Sequence, residues 1–258
     1  MRKIIFLSIV SFLLLQSCSS SDTSSTSSSL ILVKKIIETN PDGVFTTNCT
    51  YSGNKIVTGT FTGIGNGTSL TRVGNYTYSG DLITKVEIFE NNNLIEKSNY
   101  NYNSDNRLAS FIELDYTLGI GKRMTYSYNP DGSISSIGYS GDLVSQNTLV
   151  SNNAITFSNG EVSSHIEHIG SVTKTLTFTY DNNNCPFKNV LGFDKISYAV
   201  IGTSTSEISH NLIQIVRVQN GAPNYTTDFQ YTYNSNNFPL TKSETFGGIT
   251  NQTSQYFY

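Results

Sequence analysis

The residues that could do chemistry are few. The chain of 258 residues carries three histidines and three cysteines. His165 and His168 stand three apart in a stretch that alternates like a β-strand, where residues an odd number apart point to opposite faces. They make a poor shared metal site and read as solvated strand positions. Asp81, Asp105, Asp131, Asp142 and Asp181 recur beside Asn, Gly and Pro, where an aspartate caps its own backbone in a turn. A calcium loop needs several oxygen ligands at close alternating spacing, and neither Asn129-Pro130-Asp131-Gly132 nor Asp181-Asn182-Asn183-Asn184 supplies them. Carboxylates paired for glycoside hydrolysis must lie ~5–9.5 Å apart, a distance only a fold can set, and no pair stands out. No nucleophile elbow, zinc-helix motif, phosphate loop or dinucleotide fingerprint occurs. No catalytic residue, cofactor or metal ligand is expected. Cys49 and Cys185 could form a disulfide in an oxidising compartment or remain two buried thiols, since spacing does not give their separation.

The third thiol has a clearer setting. Arg2 and Lys3 precede a twelve-residue apolar run, "IIFLSIVSFLLL". That run is short of the about 20 residues a spanning helix needs but suits a signal peptide. Leu15-Gln16-Ser17-Cys18 follows and resembles the lipobox of bacterial lipoproteins. The resemblance implies cleavage after residue 17 and lipid on Cys18, which anchors the chain because each buried lipid CH₂ contributes roughly 0.8 kcal/mol. Residues 19–29 are almost all Ser and Thr and read as a flexible tether, too polar to offset chain entropy. The expected organisation is a signal peptide over 1–17, a lipidated tether over 18–29 and one β-repeat domain over 30–258.

Composition bounds the rest. Charged residues are 14% of the chain, against about 25% in typical domains. Aromatics reach 12%, through 16 Tyr and 14 Phe with no Trp. Such a chain folds, and its Thr, Tyr, Val and Ile with Asn and Gly punctuation are those of an all-β protein. The net charge is −3 with no basic cluster, so nucleic acid is not an expected partner.

An internal repeat organises the chain. "YSGNKIV", "YTYSGDLIT", "YNYNSDNRLAS", "YSYNPDGSISS", "ITFSNGEVSS", "FTYDNNNCPF", "EISHNLIQI" and "YTYNSNNFPLT" each join an aromatic or its degenerate replacement to a turn and then an apolar residue. The anchors Tyr51, Tyr78, Tyr102, Tyr128, Phe157, Tyr180, Ile208 and Tyr233 recur at intervals of 23 to 29. Second turns fall midway, at Glu90-Asn91-Asn92-Asn93, near Gly119, at Gly170 and at Asn220-Gly221. One hairpin per repeat follows. Period-two patterning agrees: Val172, Leu176, Phe178 and Tyr180 share a face with Lys174, while Thr173, Thr175, Thr177 and Thr179 take the other. About eight hairpins exceed what an open twisted sheet carries before curling. The expected fold is an all-β antiparallel meander curling into a barrel or half-barrel, with a four-bladed propeller as the alternative.

The Tyr-x-Tyr-Asn/Asp-turn-Leu pattern resembles the YD repeats of RHS-type shell proteins in degenerate form. "TYDNNNCPFKNVLGFD" and "YSGDLITKVE" resemble a group of Bacteroidota lipoproteins of unknown function, the DUF4595-like family, described as porin-like in fold. The resemblance implies the fold and a cell-envelope location, and no activity.

The functional expectation is a lipid-anchored outer-membrane protein, non-enzymatic, structural or binding, on either side of that membrane. It would meet the membrane through its N-terminal lipid and a protein or glycan ligand through its sheet. A carbohydrate- or protein-binding accessory component and an integral outer-membrane barrel are the alternatives. The aromatic C-terminal "QYFY" suits either an outer-membrane barrel or simply the last strand of a sheet. Against the integral barrel, Lys174 interrupts the apolar parity of its strand, and a midplane Lys costs roughly 2–4 kcal/mol.

Overall fold

A computed structural model describes residues 30–65, 67–199 and 207–258. The leader, Cys18 and the tether lie outside the described residues. Eight strands make up the first half: β1 (Lys35–Asn40), β2 (Gly43–Ser52), β3 (Lys55–Gly65), β4 (Thr68–Ser79), β5 (Leu82–Glu90), β6 (Asn93–Tyr102), β7 (Leu108–Asp115) and β8 (Ile120–Tyr128). Eight more follow: β9 (Ile134–Gly141), β10 (Thr148–Ser158), β11 (Glu161–Ile169), β12 (Val172–Asn184), β13 (His210–Gln219), β14 (Tyr225–Tyr233), β15 (Pro239–Phe246) and β16 (Ile249–Phe257). One short helix, α1 (Phe193–Ile196), interrupts the connection from β12 to β13. Every strand pairs antiparallel with its neighbours in the chain, and β1 pairs with β16. The meander therefore closes into a barrel, which leaves no free edge.

Closure is built from the repeat. In six of the connections at the motif end the strand register shifts beside the anchor aromatic, at Tyr51, Tyr78, Tyr102, Phe157, Tyr180 and Tyr233. An added residue of this kind bends a strand and increases its twist, which curls the sheet. The apolar residue after each turn then points inward: Ile56, Ile83, Leu108, Ile134, Val162 and Leu212 are each at most 2% exposed.

Several motif tyrosine hydroxyls do a second job. Tyr102 donates to the Ile83 carbonyl at 2.7 Å, Tyr128 to Leu108 at 2.9 Å, and Tyr231 to Leu212 at 3.0 Å. Tyr51 donates to Val33 at 2.7 Å and Tyr258 to Pro239 at 3.0 Å. The separations are 18 to 20 residues each time. Each ring thus reaches back along the chain, Tyr51 to the segment before β1 and the others to the preceding hairpin, and hydrogen-bonds the backbone carbonyl of a fully buried residue. Phe157 has no hydroxyl; its ring packs edge-on against Tyr198, 6.0 Å between centroids.

One expectation needs correction, and one open alternative is resolved in the structure. Ile208 is not a repeat anchor: it lies just before β13, at the end of the long β12–β13 connection, where it packs against the core. That connection occupies the length of one repeat, so spacing alone imitates a copy. The equivalent of the other anchors is Tyr258, at the end of the "QYFY" strand. Cys49 and Cys185 are both buried and free. Cys49 packs with Ile56 and Val190, while Cys185 donates weakly to the Ile208 carbonyl at 3.7 Å.

If the hydroxyls staple repeat to repeat, Tyr102→Phe leaves the Ile83 carbonyl without its donor and lowers stability by about 1–2 kcal/mol. Urea denaturation of that variant beside wild type tests it. Leu108→Ala, which opens a cavity, should cost about 2–5 kcal/mol. An unchanged midpoint for Tyr102→Phe would show that the rings act by packing alone.

Candidate functional site: the barrel lumen

In the half of the barrel next to the motif turns, apolar residues face in and polar residues face out. On β12, Leu176 and Phe178 are buried while Thr177 and Thr179 face out. On β14, Phe229 and Tyr231 face in, and Thr226, Asp228, Gln230 and Thr232 are exposed. Register carries this parity around the sheet. Thr50 opposes Thr58, and Thr232 opposes Thr241, each pair joined Oγ to Oγ at 2.7 Å on the outer surface. Charged residues sit mid-strand on the outer face as well: Lys85, Glu87 and Lys97 are in register with Thr77, Asn75 and Leu114, opposite in parity to the buried Tyr76 and Tyr100. Lys174, on the apolar parity of its strand, points into the barrel and pairs with Glu167 at 2.5 Å.

One mouth is sealed by the β12–β13 connection. Among the described residues, 185–199 cross the motif end of the barrel. Tyr78 donates to the Leu191 carbonyl at 3.1 Å, and the Leu191 N–H donates to Asn54 at 3.0 Å. On the far side, Tyr126 donates to Ala199 at 3.2 Å, and the Tyr128 and Tyr198 hydroxyls meet at 2.8 Å. Phe193 stacks on Phe187, 4.7 Å between centroids, and leans on Tyr76. Gly192 holds φ at 79°, and a Cβ there would lie 2.9 Å from the Asp81 carbonyl oxygen, so only glycine passes this point without displacing β5.

Carboxylates fasten the segment where it returns. Glu161 accepts the backbone N–H groups of Ile208, Ser209 and His210 at 2.7–2.9 Å. Glu207 accepts from Leu212 N–H at 2.9 Å and from the Tyr231 hydroxyl. Burial pushes the Glu207 carboxyl up to about 7. Asp181 takes the Asn211 side chain and the Tyr233 hydroxyl. Of the turn aspartates, Asp131 and Asp142 cap their own turns as expected. Asp181 also caps Asn183 N–H, but its role in the return of the segment was not legible from spacing.

The opposite half of the lumen is charged. Inward-facing pairs line it: Arg72 with Glu90 at 2.7 Å, Lys122 with Glu113 at 2.9 Å, and Lys174 with Glu167. Burial, then the neighbouring Glu113 and Asp115, raises the Glu96 carboxyl. Near this open mouth a cavity of about 500 Å³ is lined by Leu176, Phe178, Ile215, Arg217, Tyr225, Thr227 and Phe246. Among the described residues no group of three His, Cys, Asp or Glu side chains is placed to hold a metal.

The histidines separate as parity demands, but not all into solvent. His168 faces out and bonds the Thr173 hydroxyl at 2.9 Å. His165 is 4% exposed inside the barrel, with Nε2 3.3 Å from the Asn153 Oδ1. The expectation of a solvated His165 is corrected: it shares the inward parity of Leu176, opposite it on β12. Burial holds its pKa down at about 4. His210 sits 3.1 Å from Glu161.

With this geometry in hand, comparison with known proteins places the fold. The chain matches no family model and no curated protein. It is similar to a porin-like protein from Bacteroides uniformis, at 13% identity and a TM-score of 0.54, over 87% of this chain and 97% of that one. A porin-like protein from Bacteroides vulgatus aligns over 88% of this chain and 98% of that one, at 11% identity and a TM-score of 0.49. The first likeness shows a shared barrel fold, as the family resemblance implied; neither that family nor the YD repeat is matched by a model.

Two buried groups tilt stability with pH in opposite senses. His165 has a folded pKa below its usual 6.5, so the unfolded chain takes up its proton first. Stability present above pH ~6.5 is lost toward pH ~4, on the order of 2 kcal/mol by pH 5. Glu207 has a folded pKa above its usual 4.5, so stability present below that value is lost as pH rises through about 7, again on the order of 2 kcal/mol. Relative to wild type, His165→Gln should therefore gain as pH falls from 7 to 5, and Glu207→Gln as pH rises from 5 to 8. Urea midpoints across this range read both slopes, and variant curves parallel to wild type would refute the assignment.

Proposed function

We propose that this chain is a lipid-anchored protein of a bacterial outer membrane, whose barrel stands in water and offers its half-filled lumen as a binding cup, with no catalysis of its own. The observation that carries the reading is the charge on the outer face of the sheet: Lys85, Glu87, Lys97 and Asp228 face out at mid-strand, among Thr, Asn and scattered aliphatic side chains such as Val44, Ile137 and Val218. A lipid-spanning barrel needs an apolar outer band free of such charges. Lys85, Glu87, Lys97 and Asp228 would each sit in hydrocarbon at roughly 2–4 kcal/mol for a midplane Lys, somewhat less for an acid. The rival reading, an integral barrel, draws on the porin-like names of the structural neighbours, but their likeness is one of fold.

The tether supports the same reading. Residues 30–34 enter the barrel at the sealed mouth, where Val33 is fully buried and Asn189 donates to the Ile31 carbonyl at 2.9 Å. A lipid on Cys18 therefore holds the sealed end nearest the membrane and turns the open mouth away from it. The absence of motifs for catalysis supports a binding or structural role.

The test is a change of anchor. The natural chain should incorporate labelled acyl groups at Cys18 and partition with membranes, and Cys18→Ala should incorporate none. With its leader replaced by one for ordinary secretion and Cys18→Ser, the mature chain should leave the membrane fraction as a folded, water-soluble monomer without detergent. Retention in the membrane would favour the integral barrel and overturn the reading.

A further inference from the structure

Among the cations of the open half of the lumen, Arg217 is differently placed. Arg72, Lys122 and Lys174 each have a carboxylate partner. Among the described residues, none lies within ion-pair distance of Arg217. Its guanidinium makes one protein hydrogen bond, from Nη2 to the Gln219 Oε1 at 2.5 Å. Its Cζ stands 5.9 Å from the Tyr225 ring centroid. Its Nε is buried without any hydrogen-bond partner. A buried donor left unmade is costly, and more so on a charged group.

The surroundings say what would complete it. Arg217 stands in register with Leu176 on one side and Tyr225 on the other, on the inward parity. Its cavity, about 500 Å³, is within the usual size for a small-ligand site. The floor is apolar, since Leu176 and Phe178 are buried in the core, and Ile215 packs against them. The rim is aromatic: Tyr225 and Phe246, ring centroids 5.4 Å apart, remain 38% and 40% exposed. One fixed cation at the edge of an apolar hollow is complementary to one anion on an apolar body.

We propose that this pocket binds a carboxylate-bearing amphiphile of fatty-acid type. The carboxylate would accept from the terminal Nη groups of the Arg217 guanidinium, in the planar arrangement that arginine favours. The hydrocarbon would lie over Leu176, Phe178 and Ile215, with Phe246 and Tyr225 closing over it. This ligand class rests on the reading of the lumen as a cup open to water.

Isothermal titration of the mature chain released into water by the secretory leader and Cys18→Ser tests it, with dodecanoate and dodecyltrimethylammonium as probes below their micelle concentrations. Dodecanoate should bind one to one, at least tenfold tighter than the cation of equal chain length. Arg217→Gln should weaken dodecanoate about tenfold or more and leave the cation unchanged, while Arg217→Lys keeps much of the preference. Thr227→Trp, which fills the hollow, should abolish binding of both; unchanged circular dichroism and urea midpoints certify that the variants fold. No saturable dodecanoate binding, equal affinity for the two probes, or an indifferent Arg217→Gln would each overturn the assignment. If the chain cannot be released from the membrane at all, the cup reading fails first. If it is released and does not bind dodecanoate, the pocket alone is refuted.

Discussion

The hydrogen bond from a motif tyrosine to the carbonyl of the preceding hairpin is the constraint on which the rest of the barrel depends. Adjacent strands are already joined by their own ladders, but ladders alone allow a meander to lie flat or slip. The tyrosine spans beyond its own hairpin turn and fixes one repeat on the next. At Tyr51 and Tyr102 a bulge beside the ring supplies a bend that lets it reach inward. Bond and bulge coincide at these two residues; elsewhere one or the other is present, and together they curl the sheet until β16 meets β1. The residue whose carbonyl is bonded is also the most deeply buried one of its hairpin, so polar satisfaction and apolar burial are set at the same point.

A sheet of sixteen strands encloses more space than its own side chains can fill, and porins of that size leave an aqueous channel. Here the lumen is divided. At the motif end the tyrosines and the β12–β13 connection fill it, with Glu161, Glu207 and Asp181 capping the backbone of the returning chain. At the other end ion pairs line the wall. The division leaves Arg217 where the apolar and charged halves meet.

Several features were legible early because they are local. Thr173 to Thr179 alternating with Leu176, Phe178 and Tyr180 announces a strand with two unlike faces, and the turn residues announce the hairpins. Lys174 was legible as an interruption, although its meaning was not: the apolar face it interrupts is the lumen, where Glu167 receives it. His165 was misread because alternation assigns opposite faces to His165 and His168 without saying which face is inside. Ile208 was misread because a long connection can match the length of a repeat. Arg217 carried no signal at all, since its partners come from four strands and a pocket has no sequence period.

The sequence by itself determined the repeating hairpin, the two unlike faces of each strand and the all-β class, because these follow from periods of two and about 25 residues within one stretch of chain. It also holds the lipobox-like run ending at Cys18, written in one contiguous stretch, on which the proposed anchor rests. Only the tertiary structure decided closure, which face is interior, which mouth is sealed and where a cation is left unpaired. Those depend on contacts between residues far apart in the chain, such as β1 with β16 or Glu161 with residues 208–210, and on how much lumen sixteen strands enclose. Local pattern sets the shape of each piece; the space left between the pieces exists only once the ring is closed.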